Sequence, residues 1–587
     1  MTSLAILLYE DATGREQLHL GRILNFFGVP WKAIPVSRWK EAGLDFSDYV
    51  LFGSAQTVAA ALNQTMQAAV RPLAVYAFAG DDRDASERGL QAISGNRDLL
   101  LRQAPTGNLA ISVSREHADL AGPMAGLEFS SATRREDNIL AGTAGETPAW
   151  TTIISAGGAP VFVQFQWSGI PIFFCASSHI VDIDQKLGPG IYDVKEHFCS
   201  AVPLVMFVKS MFREVAWRPQ ELGACLIIDD PLLRKRYGSC DFGELRDLMR
   251  RYGFTTNIAF IPWNWRRTSS RDGEFFRNAS ASFSVSIHGC DHIGREFGAT
   301  SLTVLNDRAK LAQVRMQNHE ARTGVHHDQV MVFPQGVFST MCPEALKRNG
   351  FLAAVNTETT PADPHSAETQ IRDVWDVAIM KYGSFPIFTR RYAHHGLENF
   401  AFDLLLGKPC LIVSHHDFFK NDCGALIELI EKLQSLNCSL RWRSLGEVIR
   451  RACRRRAVGA GNEEVEMFGN DLLIGNPSSQ VVQVHLRKKE NETYLVDETR
   501  CDGKPIRWVS EGDHLVSKLT IEPVSEKLFQ VAYKQQERAE EASRSFRFEL
   551  SVAARRILSE FRDDYLSRSQ LLSNTATSLK GLLTKAN

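Results

Sequence analysis

The 587-residue sequence has no surplus of either charge: 67 Lys and Arg face 68 Asp and Glu, a net charge of −1. The chain-wide basic footprint of a nucleic-acid binder is absent, so no nucleic-acid partner is expected. The 11 cysteines are odd in number and scattered, unlike the dense, even set that frames a small secreted domain. No Lys or Arg precedes Arg15, and the first apolar run is only LAILL at 4–8. A secretory leader needs a basic start and a longer apolar stretch, so the expected location is the cytoplasm. No G-x-G-x-x-G or G-x-x-x-x-G-K-[ST] loop follows the first strand-like run, which leaves a nucleotide site there unsupported. Between Thr147 and Val181 there is no Asp, Glu, Lys or Arg. That is long enough to span a bilayer. Pro160, Pro171, Gly157, Gly158 and Gly169 break it up, and VFVQFQW-SG-IPIFFCA reads as a hairpin turning at Ser168-Gly169. No transmembrane span is expected. Apolar residues at 44% and charged residues at 23% exclude wholesale disorder.

What is there reads as a multidomain α/β chain. Residues 1–140 alternate strands and helices and form a doubly wound α/β accessory domain. Residues 141–219 hold the hairpin and a connecting helix, apolar over 201–208 and followed by Lys209 and Arg213. That helix packs between domains or makes a peripheral membrane contact. Residues 220–456 alternate again and end in RRACRRR, a basic helix end leading into the AVGAGN linker. Residues 462–534 are short strands with turn punctuation, a small β-sandwich. Residues 535–587 form an amphipathic helical tail with Phe548, Leu550, Ala553, Ile557, Phe561 and Tyr565 near one face. This face packs on the body or mediates self-association, and the oligomeric state stays open.

The 220–456 region carries the chemistry. Five short apolar runs end at once in special residues: Asp229-Asp230-Pro231, Pro262-Trp263-Asn264-Trp265, His288-Gly289-Cys290-Asp291-His292, Pro334-Gln335-Gly336 and His415-His416-Asp417. In β/α barrels, functional groups sit at the C-terminal ends of parallel strands. Two adjacent carboxylates repel, and a divalent cation on one of them relieves that. His288 and His292, four apart on a helical turn, would share a face. With a carboxylate from the first strand they make a two-His, one-carboxylate set with open positions, as catalytic metal sites have. Trp263 and Trp265 flank Asn264 and suit either sugar stacking or packing. Alternation does not decide which of His415 and His416 points inward.

These motifs resemble the NodB-like polysaccharide deacetylases of carbohydrate esterase family 4. Ile228-Asp229-Asp230 matches the first motif, HGCDH at 288–292 the second, and LIVSHHD at 411–417 the last, over about two-fifths of the chain. The resemblance implies a distorted (β/α)7 barrel. It implies Asp229 as general base, and His415 or His416 as general acid. Asp230, His288 and His292 would be ligands of one divalent metal, zinc by preference. Gln335 joins Trp263, Asn264 and Trp265 as candidate substrate contacts. The family's Arg-x-Pro-Tyr motif is Val-Phe-Pro-Gln-Gly here (332–336), without its Arg and Tyr. The expected function is removal of an N-acyl group from an amino sugar. The alternatives are an inactive glycan-binding or scaffold protein and an amidase or esterase on a non-sugar substrate.

Overall fold

The computed structural model describes all residues except 1–3, 11–13, 40–47, 66–70, 135–136, 142–149, 189, 364–367, 420–422, 535–545 and 562–587. The first domain is built on a nine-stranded sheet. Five parallel strands lie in the spatial order Trp31–Pro35, Leu4–Tyr9, Tyr49–Ser54, Ala74–Phe78 and Ile170–Cys175. Alternation within the first strand shows the double winding. Ala5 and Leu7 join the core under helices Arg15–Phe26 and Phe198–Met211. Ile6 and Leu8 join the core under helices Ala55–Thr65 and Arg83–Ser94.

The hairpin at 159–175 does not stand apart in a 141–219 segment. Its second strand, Ile170–Cys175, pairs in parallel with Ala74–Phe78, and its first strand begins the antiparallel half of the same sheet. The described part of the charge-free stretch is therefore largely interior strand. The apolar run of helix Phe198–Met211 is fully buried against this sheet and the next domain, leaving no apolar face for a membrane. Among the described residues, no helix is long and apolar enough to cross one.

The central domain is a parallel barrel. Its staves are β1 (Leu222–Asp229), β2 (Thr256–Phe260), β3 (Phe283–His288), β4 (Val330–Val332), β5 (Ala353–Asn356), β6 and β7 (Cys410–Ser414). Stave β6 consists of Ile387–Thr389 and Arg391–Tyr392 on either side of Arg390. The first piece pairs with β5 and the second with β7, and β7 pairs with β1, which nearly closes the ring. Inward positions alternate: Cys225, Ile227, Ala259, Val330, Val332, Ala353, Val355, Phe388 and Leu411 form one apolar cluster. Val448 and Ile449 of helix Leu445–Arg451 join that cluster. Continuing the alternation places Asp229, His288, Arg390, Tyr392 and His415 inward at the C-terminal mouth.

The basic run at 450–456 is only half helix. Cys453–Gly459 is a strand, and Ala460-Gly461 within AVGAGN is the turn of a hairpin with Asn462–Met467. Arg454, Arg455 and Arg456 pair with Glu466, Glu463 and Glu464, so the run is neutralised across the strands. This hairpin opens a two-sheet sandwich with a shared apolar core.

The sandwich docks on the barrel through a fully buried pair, Lys347 Nζ to Glu490 Oε1 at 2.9 Å, each side chain 0% exposed. The Tyr533 hydroxyl also donates to Glu490. Lys347→Ala is expected to destabilise the chain by about 3–5 kcal/mol, because it strands a buried carboxylate. Urea denaturation should show a lower midpoint, and an unchanged midpoint would remove this pair as the docking contact.

Candidate active site

Asp229 ends β1. Both of its oxygens accept hydrogen bonds from Arg390, at 2.7 Å each, and the pair is buried at 5% and 3% exposure. Burial alone would raise the Asp229 pKa. Arg390 and then His288 outweigh it and hold the carboxyl below the ordinary range. Strand parity would point Asp230 outward, but its φ of +78° turns it back over the mouth.

Asp230 Oδ1 lies 3.3 Å from His288 Nε2 and 3.0 Å from His292 Nε2. That oxygen is buried and makes no hydrogen bond, while the side chain keeps 28% exposure. His288 Nδ1 donates to the Val332 carbonyl at 2.9 Å, which leaves Nε2 as a lone-pair donor. A buried carboxylate oxygen facing two imidazole nitrogens fits a divalent cation with an open side.

The two histidines meet by a different route from the one expected. His288 ends a strand, and His292 sits in a loop with φ of +56°, not on a helical turn. Glu296 shapes that loop: its carboxylate accepts the backbone N–H groups of Cys290, Asp291 and His292. Gly289 has φ of +66°, and a Cβ there would collide with Pro334 and Glu296. Asp230, His292 and Gln335 are all non-glycine residues with positive φ. Such conformations persist only where the surroundings over-determine them.

The remaining expected residues separate. Asn264 is buried, and with Gln335 it lines a cavity of about 220 Å³ over Asp230 and His292. Trp263 and Trp265 are half-buried and do not line it. Arg267 and Arg266 lie over their rings instead. His415 is exposed, with Nε2 3.5 Å from the Tyr392 hydroxyl. The His416 side chain lies outside the described residues.

Arg390 and Tyr392 escaped the sequence reading. Both stand on β6. Their signal was the three-residue run IFT before them, too short for periodicity to register. Glu296 and Arg556 were missed too, since nothing local marks a carboxylate that collects backbone N–H groups or an arginine on a distant helix.

No known family model matches the chain, and no curated protein matches it in sequence. Solved structures similar to part of it include the Xyl-CE4 domain of a multidomain xylanase from the hindgut metagenome of Trinervitermes trinervoides. That domain is 13% identical with a TM-score of 0.25, and the match covers 39% of this chain and 90% of the domain. A family 4 carbohydrate esterase from Streptomyces lividans, in complex with acetate, is 14% identical with a TM-score of 0.23, over 36% and 87%. A family 4 acetyl xylan esterase from Clostridium thermocellum, in complex with a cobalt ion, is 12% identical with a TM-score of 0.24, over 39% and 90%.

Proposed function

We propose that this chain is a metal-dependent hydrolase. It would remove an N-acyl group, an acetamide on an amino sugar, from a surface-glycan precursor or polysaccharide. One observation carries the reading. An unpartnered Asp230 oxygen faces two imidazole nitrogens, next to a buried carboxylate that Arg390 keeps ionised. Asp230, His288 and His292 would hold the cation, which when bound acts as a Lewis acid that activates water and polarises the acyl carbonyl.

Asp229, held by Arg390 in one orientation, accepts the proton of the attacking water. His415, beside the Tyr392 hydroxyl, gives a proton to the departing amine nitrogen. Asn264 and Gln335 face the substrate from the cavity wall. Trp263 and Trp265 carry no role in this reading, because they do not line the cavity. The inactive-scaffold alternative is disfavoured by the strained Asp230 and His292 backbone, which a purely structural site does not need.

The test is metal content by plasma mass spectrometry on wild type and the His288→Ala/His292→Ala variant. About one zinc, cobalt, manganese or iron ion per chain is expected in wild type and none in the variant. A wild type that takes up no cation after reconstitution would end this reading. Acetate release from acetylated amino sugars, set against aryl esters and simple amides, then assigns the substrate.

A further inference from the structure

The hydrolytic reading leaves the C-terminal helix Phe546–Phe561 without a role, yet this helix forms one wall of the site. Arg555, Arg556, Ser559 and Glu560 line the 220 Å³ cavity opposite Asp230 and His292. The helix is seated firmly. Val552 is 2% exposed, and Arg267 grips Glu560 with two guanidinium nitrogens.

The apolar stripe that the sequence offers for packing on the body or self-association includes Leu550, Ile557 and Phe561, which are 53–58% exposed in this chain. Arg556 is turned inward instead, at 7% exposure. One of its terminal nitrogens lies 3.3 Å from His292 Nδ1. Its Nε is buried with no hydrogen-bond partner.

Two carboxylates near the cavity already have arginine partners, and the third, Asp230, attracts Arg556 without forming an ion pair with it. Asp229 is paired with Arg390, Glu560 with Arg267, and Asp230 faces two imidazoles. Neither Arg555 nor Arg556 has a carboxylate at ion-pair distance among the described residues. Burying a guanidinium with an unmatched N–H is costly unless something binds it.

We propose that this chamber is an anion subsite. Arg556, assisted by Arg555, binds an oxyanion, either a phosphate or a carboxylate, carried by a substrate small enough to enter. A guanidinium fork matches both groups through paired N–H donors. The cavity is smaller than the roughly 300–1,000 Å³ of ordinary ligand pockets. Its size suits a single charged sugar-like unit. The word substrate rests on the hydrolytic reading, while the anion site stands on the helix geometry alone.

The experiment is isothermal titration calorimetry on EDTA-treated full-length protein, with inorganic phosphate and with glucuronate. Wild type is expected to bind at least one of them. Arg556→Gln should weaken that binding at least tenfold, and Arg555→Gln, at an exposed position, severalfold. Tighter phosphate binding assigns a phosphate ester, and tighter glucuronate binding assigns a uronate. The site is overturned if neither anion binds, or if both variants bind as wild type does. Because the titration is run without metal, its failure leaves the hydrolytic reading standing. Absence of turnover, in the same way, leaves the anion site standing.

Discussion

Asp229→Asn is expected to lower kcat by roughly 10²–10⁴-fold, the usual span of general acid–base help, with the cation still bound. The carboxylate is buried at the barrel mouth and takes two 2.7 Å hydrogen bonds from Arg390. Those bonds keep it ionised against the pull of burial, so at neutral pH it can accept a proton. An amide cannot. Cation content and the thermal melt are measured beside acetate release, so that lost turnover is not mistaken for a lost fold. A folded, loaded variant with wild-type kcat would remove Asp229 from the base role.

Arg390→Leu is expected to cost about 3–5 kcal/mol of stability, because it leaves a buried carboxylate unpaired. With Arg390 gone, burial dominates and the Asp229 pKa rises, so activity should fall as well. The double variant Asp229→Asn/Arg390→Leu separates the two effects. Neither charge is then stranded, so stability should return most of the way, whereas turnover should not. Urea denaturation of the four proteins in this cycle gives the coupling. If Arg390→Leu unfolds within about 0.5 kcal/mol of wild type, where ordinary surface changes fall, the pair does not hold the site.

Much of the site was legible because it is local in sequence. Asp229-Asp230, His288 with His292, and the histidine pair at 415–416 each follow an apolar run long enough to be read as a strand. Strand ends are where a parallel barrel gathers function. The helical-turn account of His288 and His292 failed, since their approach depends on Glu296 and on the glycine between them. Arg390 failed to register because its stave is interrupted and short. The C-terminal helix was visible as a helix, with its apolar face left open to packing on the body or to self-association. Its periodicity shows that it is amphipathic and does not show what its polar side docks against.

By itself, then, the sequence determined the alternation of strands and helices, the near-neutral net charge and the three motif ends. Each of these depends only on neighbours along the chain. The tertiary structure alone decided which charge partners meet. Arg390 reaches Asp229 across 161 positions and Arg556 reaches His292 across 264. It also placed Leu411 of the last stave in the barrel interior, the parity that His415 shares. Such pairings follow from barrel closure and helix docking. Their cause is burial of distant surfaces against one another, and no local pattern encodes it.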